Sequence, residues 1–256
     1  MRKTIKDLVL LRNIRLNPDN HLLIFKVPGF DSDIKPGQFA NIEAKYSTST
    51  FLRRPFSIHN IDPENETIHF LIKRVGEGTR HITDLKEGES VSVVFPLGHG
   101  FTLPERDEKV LLIGGGCGVA PLMMLARAIR PYSEDIHILL GARSAKDLVE
   151  LDEYSQMGKL HITTEDGTAG EKGFVTQHSI FKNVSEFNRI YTCGPEPMMK
   201  AVAGIAMKNN IWCEVSLENM MACGFGVCLC CVTETKEGNK SVCTHGPVFN
   251  VNDLKW

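Results

Sequence analysis

The sequence predicts a β-barrel domain, then an α/β domain with a parallel sheet, then a small C-terminal cysteine-bearing subdomain. Three observations carry this. Residues 1 to about 101 alternate short strand-like segments with turn residues. Residues 110 to about 210 alternate apolar runs with helical patterns. Five of the eight cysteines fall between Cys223 and Cys243. The predicted units are residues 1–101, 102–210 and 211–256.

In chain order, strands are expected over Leu8–Ile14, His21–Lys26, Gln38–Glu43, Thr67–Arg74 and Ser90–Phe95. Turn residues such as Asn17-Pro-Asp-Asn20 and Lys35-Pro-Gly37 separate them, and short strands at this spacing predict a barrel or sandwich. Thr79–Leu85 is the one expected helix of this half. The charged stretch Thr102–Lys109 contains Pro104 and reads as a linker. Val110–Ile113 is a buried-type strand running into Gly114-Gly-Gly-Cys-Gly118, with a helical pattern from Ala120 to Ile129. Ile136–Leu140, Leu160–Thr164 and Arg189–Thr192 are further strands, and Asp147–Met157 and Glu196–Lys208 further helices. Pro197 sits near a helix start, where proline is tolerated. Strands alternating with helices predict a parallel sheet. Val232–Val242 reads as a hairpin turning at Glu237-Gly-Asn239.

Composition excludes several classes. A net charge of −2 gives no reason to expect nucleic acid or an anionic membrane as partner. No apolar run reaches the ~18 residues a bilayer-spanning helix needs. Met1–Asp7 meets an acidic residue early and lacks the apolar core of a secretory signal. Eight cysteines without export point to the cytoplasm and to metal or redox chemistry rather than disulfides.

The cysteine stretch reads Cys223-Gly-Phe-Gly-Val-Cys228-Leu-Cys230-Cys231, with Cys243 further on. A C-x4-C-x2-C loop with one distant cysteine is the plant-type 2Fe–2S ligation pattern. Three thiolates wrap a compact cluster from one loop, and a fourth closes it. Gly224 and Gly226 suit a loop whose amides turn toward cluster sulfurs. A zinc site usually pairs close ligands twice, and Cys243-Thr-His245 makes a poor second half. The expected ligands are Cys223, Cys228, Cys231 and Cys243, with Cys230 spare.

Four further motifs stand at strand ends. Arg54-Pro55-Phe56-Ser57 offers a guanidinium fork for a diphosphate and an aromatic for a ring system. Lys73-Arg-Val-Gly-Glu-Gly78-Thr79 opens a helix, whose amides and threonine hydroxyl suit an anion. Taken singly, each is no more than a strand end; their pairing within one β domain gives them weight. Gly114-Gly115-Gly116-Cys117-Gly118-Val-Ala120-Pro121 joins a strand to a helix, the context of a phosphate cradle, without being the G-x-G-x-x-G form. Cys193-Gly194-Pro195 is again strand, turn and helix, at the sheet edge where ligands bind in such folds.

Together these motifs resemble the ferredoxin–NADP reductase superfamily. There, Arg-x-(Tyr/Phe)-Ser and a later Gly-(Thr/Ser) bind FAD on a small barrel. A Gly-Gly-Gly-x-Gly-x-Ala-Pro loop and a Cys-Gly-Pro loop bind the nicotinamide nucleotide. The resemblance implies FAD at Arg54, Pro55, Phe56, Ser57, Leu71, Ile72, Lys73, Gly78 and Thr79. It implies NAD at Gly114, Gly115, Gly116, Gly118, Ala120, Pro121, Cys193, Gly194 and Pro195. Leu217–Cys231 and Val242–Phe249 are further similar to the electron-transfer subunits of class 1B dihydroorotate dehydrogenases. The likeness covers essentially the whole chain. It implies hydride transfer from NADH to FAD, then single electrons through the 2Fe–2S centre to FMN in a separate catalytic subunit. That subunit interconverts dihydroorotate and orotate, in a heterotetramer of two of each. The same scaffold also serves small subunits of ferredoxin-dependent NAD(P)H oxidoreductases and hydrogenase-associated diaphorases. A zinc-stabilised or redox-sensing binding module is the reading from another class. No residue here is assigned to catalysis on orotate. Arg143 suits either a 2′-phosphate or a strand end, so the residues leave NAD and NADP open, and NAD is expected on the resemblance. The chain continues past the cysteine loop, so Trp256 reads as a packing residue.

Overall fold

The computed structural model describes residues 3–29 and 33–256. Seven antiparallel strands form the first sheet: β1 (Thr4–Arg15), β2 (Asn20–Lys26), β3 (Phe39–Ile42), β4 (Arg54–Ser57), β5 (Asn60–Asp62), β6 (Thr67–Lys73) and β7 (Ser90–Leu97). Their order is β4-β3-β7-β1-β2-β6-β5. The end strands β4 and β5 are joined by only Ile58 and His59, so the sheet must curl round to bring its edges together. Hydrogen bonds from Ile58 N to Gln38 O (2.9 Å) and from His59 N to His69 O (3.0 Å) tie both edges to that corner. Inside, Leu8, Leu10, Leu23, Phe25, Ile68, Phe70 and Val93 are excluded from water, each contributing about 1.5–3 kcal/mol.

The helix expected over Thr79–Leu85 is α1 (Glu77–Thr83). It begins earlier because Thr79 Oγ1 accepts from Val75 N (2.9 Å) and Gly76 N (3.0 Å), winding the preceding loop into the first turn.

The second sheet contains β8 (Val110–Gly115), β9 (Ile136–Ala142), β10 (Lys159–Thr164), β11 (Glu171–Lys172), β12 (Arg189–Cys193) and β13 (Trp212–Ser216), all parallel. Helices α2 (Leu122–Ile129), α3 (Leu151–Ser155) and α4 (Glu196–Lys208) connect them. α4 runs as the sequence predicts. The helix expected over Asp147–Met157 is instead a 3-10 turn followed by the short α3, because Leu148 is extended and Glu150 takes a left-handed backbone (φ 57°). β13 is a strand beyond those the sequence predicts. Its Val215 and Cys213 are buried, but Glu214 interrupts a short apolar run.

The stretch Thr102–Pro104 is pinned rather than loose. Thr102 donates from its amide (2.9 Å) and hydroxyl (2.8 Å) to the buried Glu214 carboxylate, and Tyr191 OH donates to the Thr102 carbonyl (2.6 Å). Burial pushes the Glu214 carboxyl up, against the opposing effect of those bonds.

The C-terminal part holds the hairpin β14 (Val232–Thr235) and β15 (Gly238–Ser241), the one-turn α5 (Val242–His245) and β16 (Val248–Asn250). β16 pairs antiparallel with β13, so this part completes the second sheet rather than standing apart. Its buried residues Met221, Cys231, Val242, Cys243 and Phe249 share one core with the second sheet and with Phe39, Val94 and Leu97 of the barrel wall.

Candidate functional site

A cleft of about 1250 Å³ runs between the barrel and the C-terminal edge of the second sheet. That is room for a dinucleotide rather than a small metabolite. Its barrel wall carries Asp19 and Lys73; its opposite wall carries Gly115, Gly116, Cys117, Gly118, Gly194, Pro195 and Glu218.

The two predicted nucleotide loops touch at Gly118. A Cβ there would stand 2.4 Å from the Cys193 carbonyl oxygen and from the Gly194 Cα, so only glycine allows the loops to close. The end of the first loop is held by its carbonyls: Tyr154 OH donates to Val119 O (2.6 Å) and His59 Nδ1 to Ala120 O (2.9 Å). Cys193 is fully buried, with its sulfur 3.9 Å from Glu218 Oε1. Burial, then the neighbouring Glu218, pushes the Cys193 thiol well above its ordinary range. Glu218 reaches water through the cleft, yet the protein around it raises its carboxyl pKa. Glu218 lies within Leu217–Cys231, but one acidic residue in an apolar stretch carries no sequence signal of its role. Arg143 and Ser144 line the far end of the cleft beside Glu165 and Asp166.

The flavin motif divides. Arg53 is structural: Nη1 donates to Ser92 O (2.5 Å) and Nη2 to Ser92 Oγ (2.9 Å). Arg54, its neighbour, is exposed and makes no ion pair among the described residues, leaving its fork available to an anion. Leu71 and Ile72 bury their side chains, Ile72 in the barrel interior, so only their backbone is open to a ligand. β5 pairs with β6 no further than His69, which leaves that edge open along Leu71–Lys73. Gly78 packs beside the Arg54 stem. The Thr79 hydroxyl is engaged within its own loop, also donating to Gly76 O (2.9 Å), so Thr79 shapes this corner rather than offering a free hydroxyl.

The cysteine loop has three left-handed residues, Gly224 (φ 79°), Gly226 (φ 93°) and Leu229 (φ 55°). Cys223 Sγ accepts from Val227 N (3.3 Å), and Cys243 N donates to Cys231 Sγ (3.4 Å). Burial alone would raise the Cys223 thiol. The Phe225 and Cys228 amides aimed at it, with the Cys228 side chain, instead hold it down at about 6. Burial and the Cys231 side chain push Cys243 up to about 12. The Cys228 side chain thus acts on Cys223 and the Cys231 side chain on Cys243. Among the described residues, no three His, Cys, Asp or Glu side chains converge on one point as a single metal ion requires. Cys230 is exposed and turns its sulfur to Met220 O (3.5 Å).

Comparison with known proteins adds independent findings. Residues 218–255 match the iron–sulfur cluster binding domain of dihydroorotate dehydrogenase B. Residues 112–204 match the oxidoreductase NAD-binding domain and residues 7–102 the oxidoreductase FAD-binding domain. The electron transfer subunit of dihydroorotate dehydrogenase B (NAD(+)) from Shouchella clausii is 36% identical over 260 residues, 99% of each chain. The chain belongs to the family of dihydroorotate dehydrogenase B electron transfer subunits. Family members from Caldanaerobacter subterraneus (40% identity, 84% of each chain) and Fusobacterium nucleatum (34%, 98% of each) agree. Among solved structures, an NADH-dependent reduced ferredoxin–NADP oxidoreductase superposes with TM-score 0.86 at 29% identity, covering 97% of this chain and 90% of its own. The ferredoxin reductase of carbazole 1,9a-dioxygenase (TM-score 0.71, 23% identity, 82% of this chain and 67% of its own) shares the fold. A family member of this kind is a flavin and iron–sulfur oxidoreductase subunit, and the β-barrel, parallel-sheet and cysteine units carry its FAD-, NAD- and cluster-binding domains.

Proposed function

We infer that this chain carries electrons between NADH and the FMN-containing catalytic subunit of a dihydroorotate dehydrogenase, in a cytoplasmic complex of two copies of each. When bound, FAD accepts a hydride's two electrons and a 2Fe–2S cluster carries one at a time, which converts the one chemistry into the other. The chain's own residues bind and orient. Arg54 grips the flavin diphosphate, and Pro55, Phe56, Ser57 and the Leu71–Lys73 edge line its ring, with Gly78 and Thr79 shaping the turn. Gly114–Gly116, Gly118, Ala120 and Pro121 cradle the nucleotide phosphates at the start of α2. Cys193, Gly194 and Pro195 bound the nicotinamide end, where Glu218 stands beside Cys193. Glu165 and Asp166 at the far end oppose a 2′-phosphate, which favours NAD. Cys223, Cys228, Cys231 and Cys243 would hold the 2Fe–2S cluster. Residues 1–101, 102–210 and 211–256 act as flavin, nucleotide and cluster units, the last two sharing a sheet.

One observation carries the reading: the cysteine loop seats on the outer wall of β3, beside the β4 strand that bears Arg54–Ser57. Its outward rim, Met220, Val227 and Leu229, is exposed and apolar, as a docking surface would be. The ferredoxin-linked scaffold shares this fold, but the relatives at 34–40% identity all carry the dihydroorotate name. The test mixes the purified chain with an FMN-containing dihydroorotate dehydrogenase subunit and measures co-elution and NADH-dependent reduction of orotate. Both are expected. Neither association nor electron transfer would overturn the assignment.

A further inference from the structure

This inference rests on the nucleotide site just proposed and concerns Glu171, His178 and Ser179, none of which lines the cleft. The residues between them do. Gly173, Phe174, Val175 and Thr176 form its wall beside Arg143, Glu165 and Asp166. Phe174 is 62% exposed there. Val175 is buried and packs on the end of β9, where a Cβ on Gly141 would stand 2.3 Å from Val175 Cγ1. Gly141 pairs with Gly115 of the first nucleotide loop, so the wall and that loop share one base.

The wall belongs to a closed loop. The Glu171 carboxylate, on β11, accepts from Ser179 N (2.8 Å) and from Ser179 Oγ. His178 Nε2 lies 3.4 Å from Glu171 Oε1. Inside the loop, Phe174 N donates to Gln177 Oε1 (2.8 Å) and Gln177 N to Phe174 O (2.9 Å). His178 Nδ1 accepts from Ile180 N (3.1 Å), which caps the 3-10 helix Ser179–Glu186. A donor facing Nδ1 requires that nitrogen to be bare, so the ring proton sits on Nε2, toward Glu171.

His178 is buried. His161 of β10 meets it edge to face, 5.4 Å between ring centres, and His161 Nε2 lies 3.0 Å from His137 Nδ1 of β9. His137 Nε2 lies 3.0 Å from Asp135 Oδ1, and Lys109 and Lys159 also pair with that carboxylate. Lys182, on the helix that His178 caps, acts on Glu171. Burial lowers the pKa of all three histidines, and a proton on one ring opposes a proton on the next. The fold therefore favours neutral rings.

We propose that Glu171, His178 and Ser179 form a clasp that positions the Gly173–Thr176 wall for NADH. Glu171 and His178 are positioning residues; they touch no substrate atom. The clasp closes while His178 Nδ1 is bare, and a proton there opposes the Ile180 amide. Nucleotide affinity is then full above the ordinary histidine pKa of about 6.5 and falls as pH drops below it.

The experiment uses the full chain with FAD and cluster bound, as wild type, His178→Ala, His178→Asn and Glu171→Gln. Stopped-flow bleaching of the flavin is followed against NADH concentration from about pH 5.5 to about pH 8, where histidine titrates. Asparagine is a strong N-cap and keeps an acceptor for Ile180 N without a titrating group. In wild type the half-saturating NADH concentration is expected to rise with acid. His178→Ala is expected to raise it roughly two- to tenfold at neutral pH, as for a lost cap, with the limiting rate moving less. His178→Asn is expected to match wild type at the alkaline end and to stay flatter in acid. A wild-type half-saturation in His178→Ala, or a loss confined to its limiting rate, overturns the clasp. A His178→Asn variant as acid-sensitive as wild type overturns the role of the His178 proton. Should His178→Ala not fold, Glu171→Gln decides, because that side chain is 43% exposed and its exchange opens no cavity. A raised half-saturation there upholds the clasp and an unmoved one overturns it. Wild-type flavin that NADH does not bleach would instead refute the nucleotide site itself.

Discussion

His59 Nδ1 donates to the Ala120 carbonyl at 2.9 Å, and this one bond crosses from the barrel corner to the glycine-rich loop. Its other ring nitrogen lies 3.2 Å from Glu150 Oε1, with both side chains buried. Met124 N donates back to His59 O (3.1 Å). Breaking a buried pair strands its partner, and Glu150 Oε2 already lacks a bond. His59→Ala should destabilise the protein by about 3 kcal/mol and raise the KM for NADH while flavin content holds. Thermal unfolding and steady-state kinetics check this; an unchanged KM would detach His59 from the nucleotide loop.

Arg54 and Arg53 are neighbours with opposite fates. Arg54→Ala should strip flavin from the purified protein, read as the flavin-to-protein absorbance ratio. Arg53→Ala should retain flavin and lose about 1 kcal/mol of stability with its Ser92 bonds. Full flavin retention in Arg54→Ala would remove it from the site.

The nucleotide loops leave no room for a methyl group. Gly118→Ala must push the first loop away from Cys193 and Gly194, at about 1–3 kcal/mol of strain. Flavin bleaching by NADH in a stopped-flow instrument should become roughly tenfold slower or worse, while flavin content stays near wild type.

Serine at Cys223, Cys228, Cys231 or Cys243 should abolish the cluster's visible bands and paramagnetic signal. Cys230→Ser should keep both, because its sulfur faces Met220 O. A lost signal in the Cys230 variant would mean the ligand set is wrongly drawn.

Burial, then the nearby His59, depresses His69 from 6.5 to about 4. The unfolded chain therefore binds this proton more readily than the folded one between those values. Stability contributed above pH ~6.5 is lost as pH falls toward about 4, at up to about 1.4 kcal/mol per pH unit. His69→Gln should flatten that slope in urea unfolding compared at about pH 5 and about pH 7.5. An identical slope in the variant would place the acid sensitivity elsewhere.

The sequence shows what spacing and periodicity can encode. The cysteine intervals predict a ligand set with Cys230 spare, and the glycine loops predict two loops that the structure brings together at Gly118. α4 was legible because its pattern runs uninterrupted from a proline-tolerant start. α3 was not, because the left-handed Glu150 breaks a helix that propensity favours. β13 and β16 were hidden because their pairing is long-range and their apolar patterns are short. His59, His178 and Glu218 carried no signal: each is a single polar residue whose meaning comes from what folds against it.

β13 enters the cysteine loop and β16 returns to lie alongside it, so the loop is stitched into the second sheet at both ends. A gene shortened just after Ser216 would encode more than a reductase lacking its metal. It would uncover the edge of β13 and the apolar flank of the barrel at Phe39, Val94 and Leu97, a surface prone to sticking to its own copies.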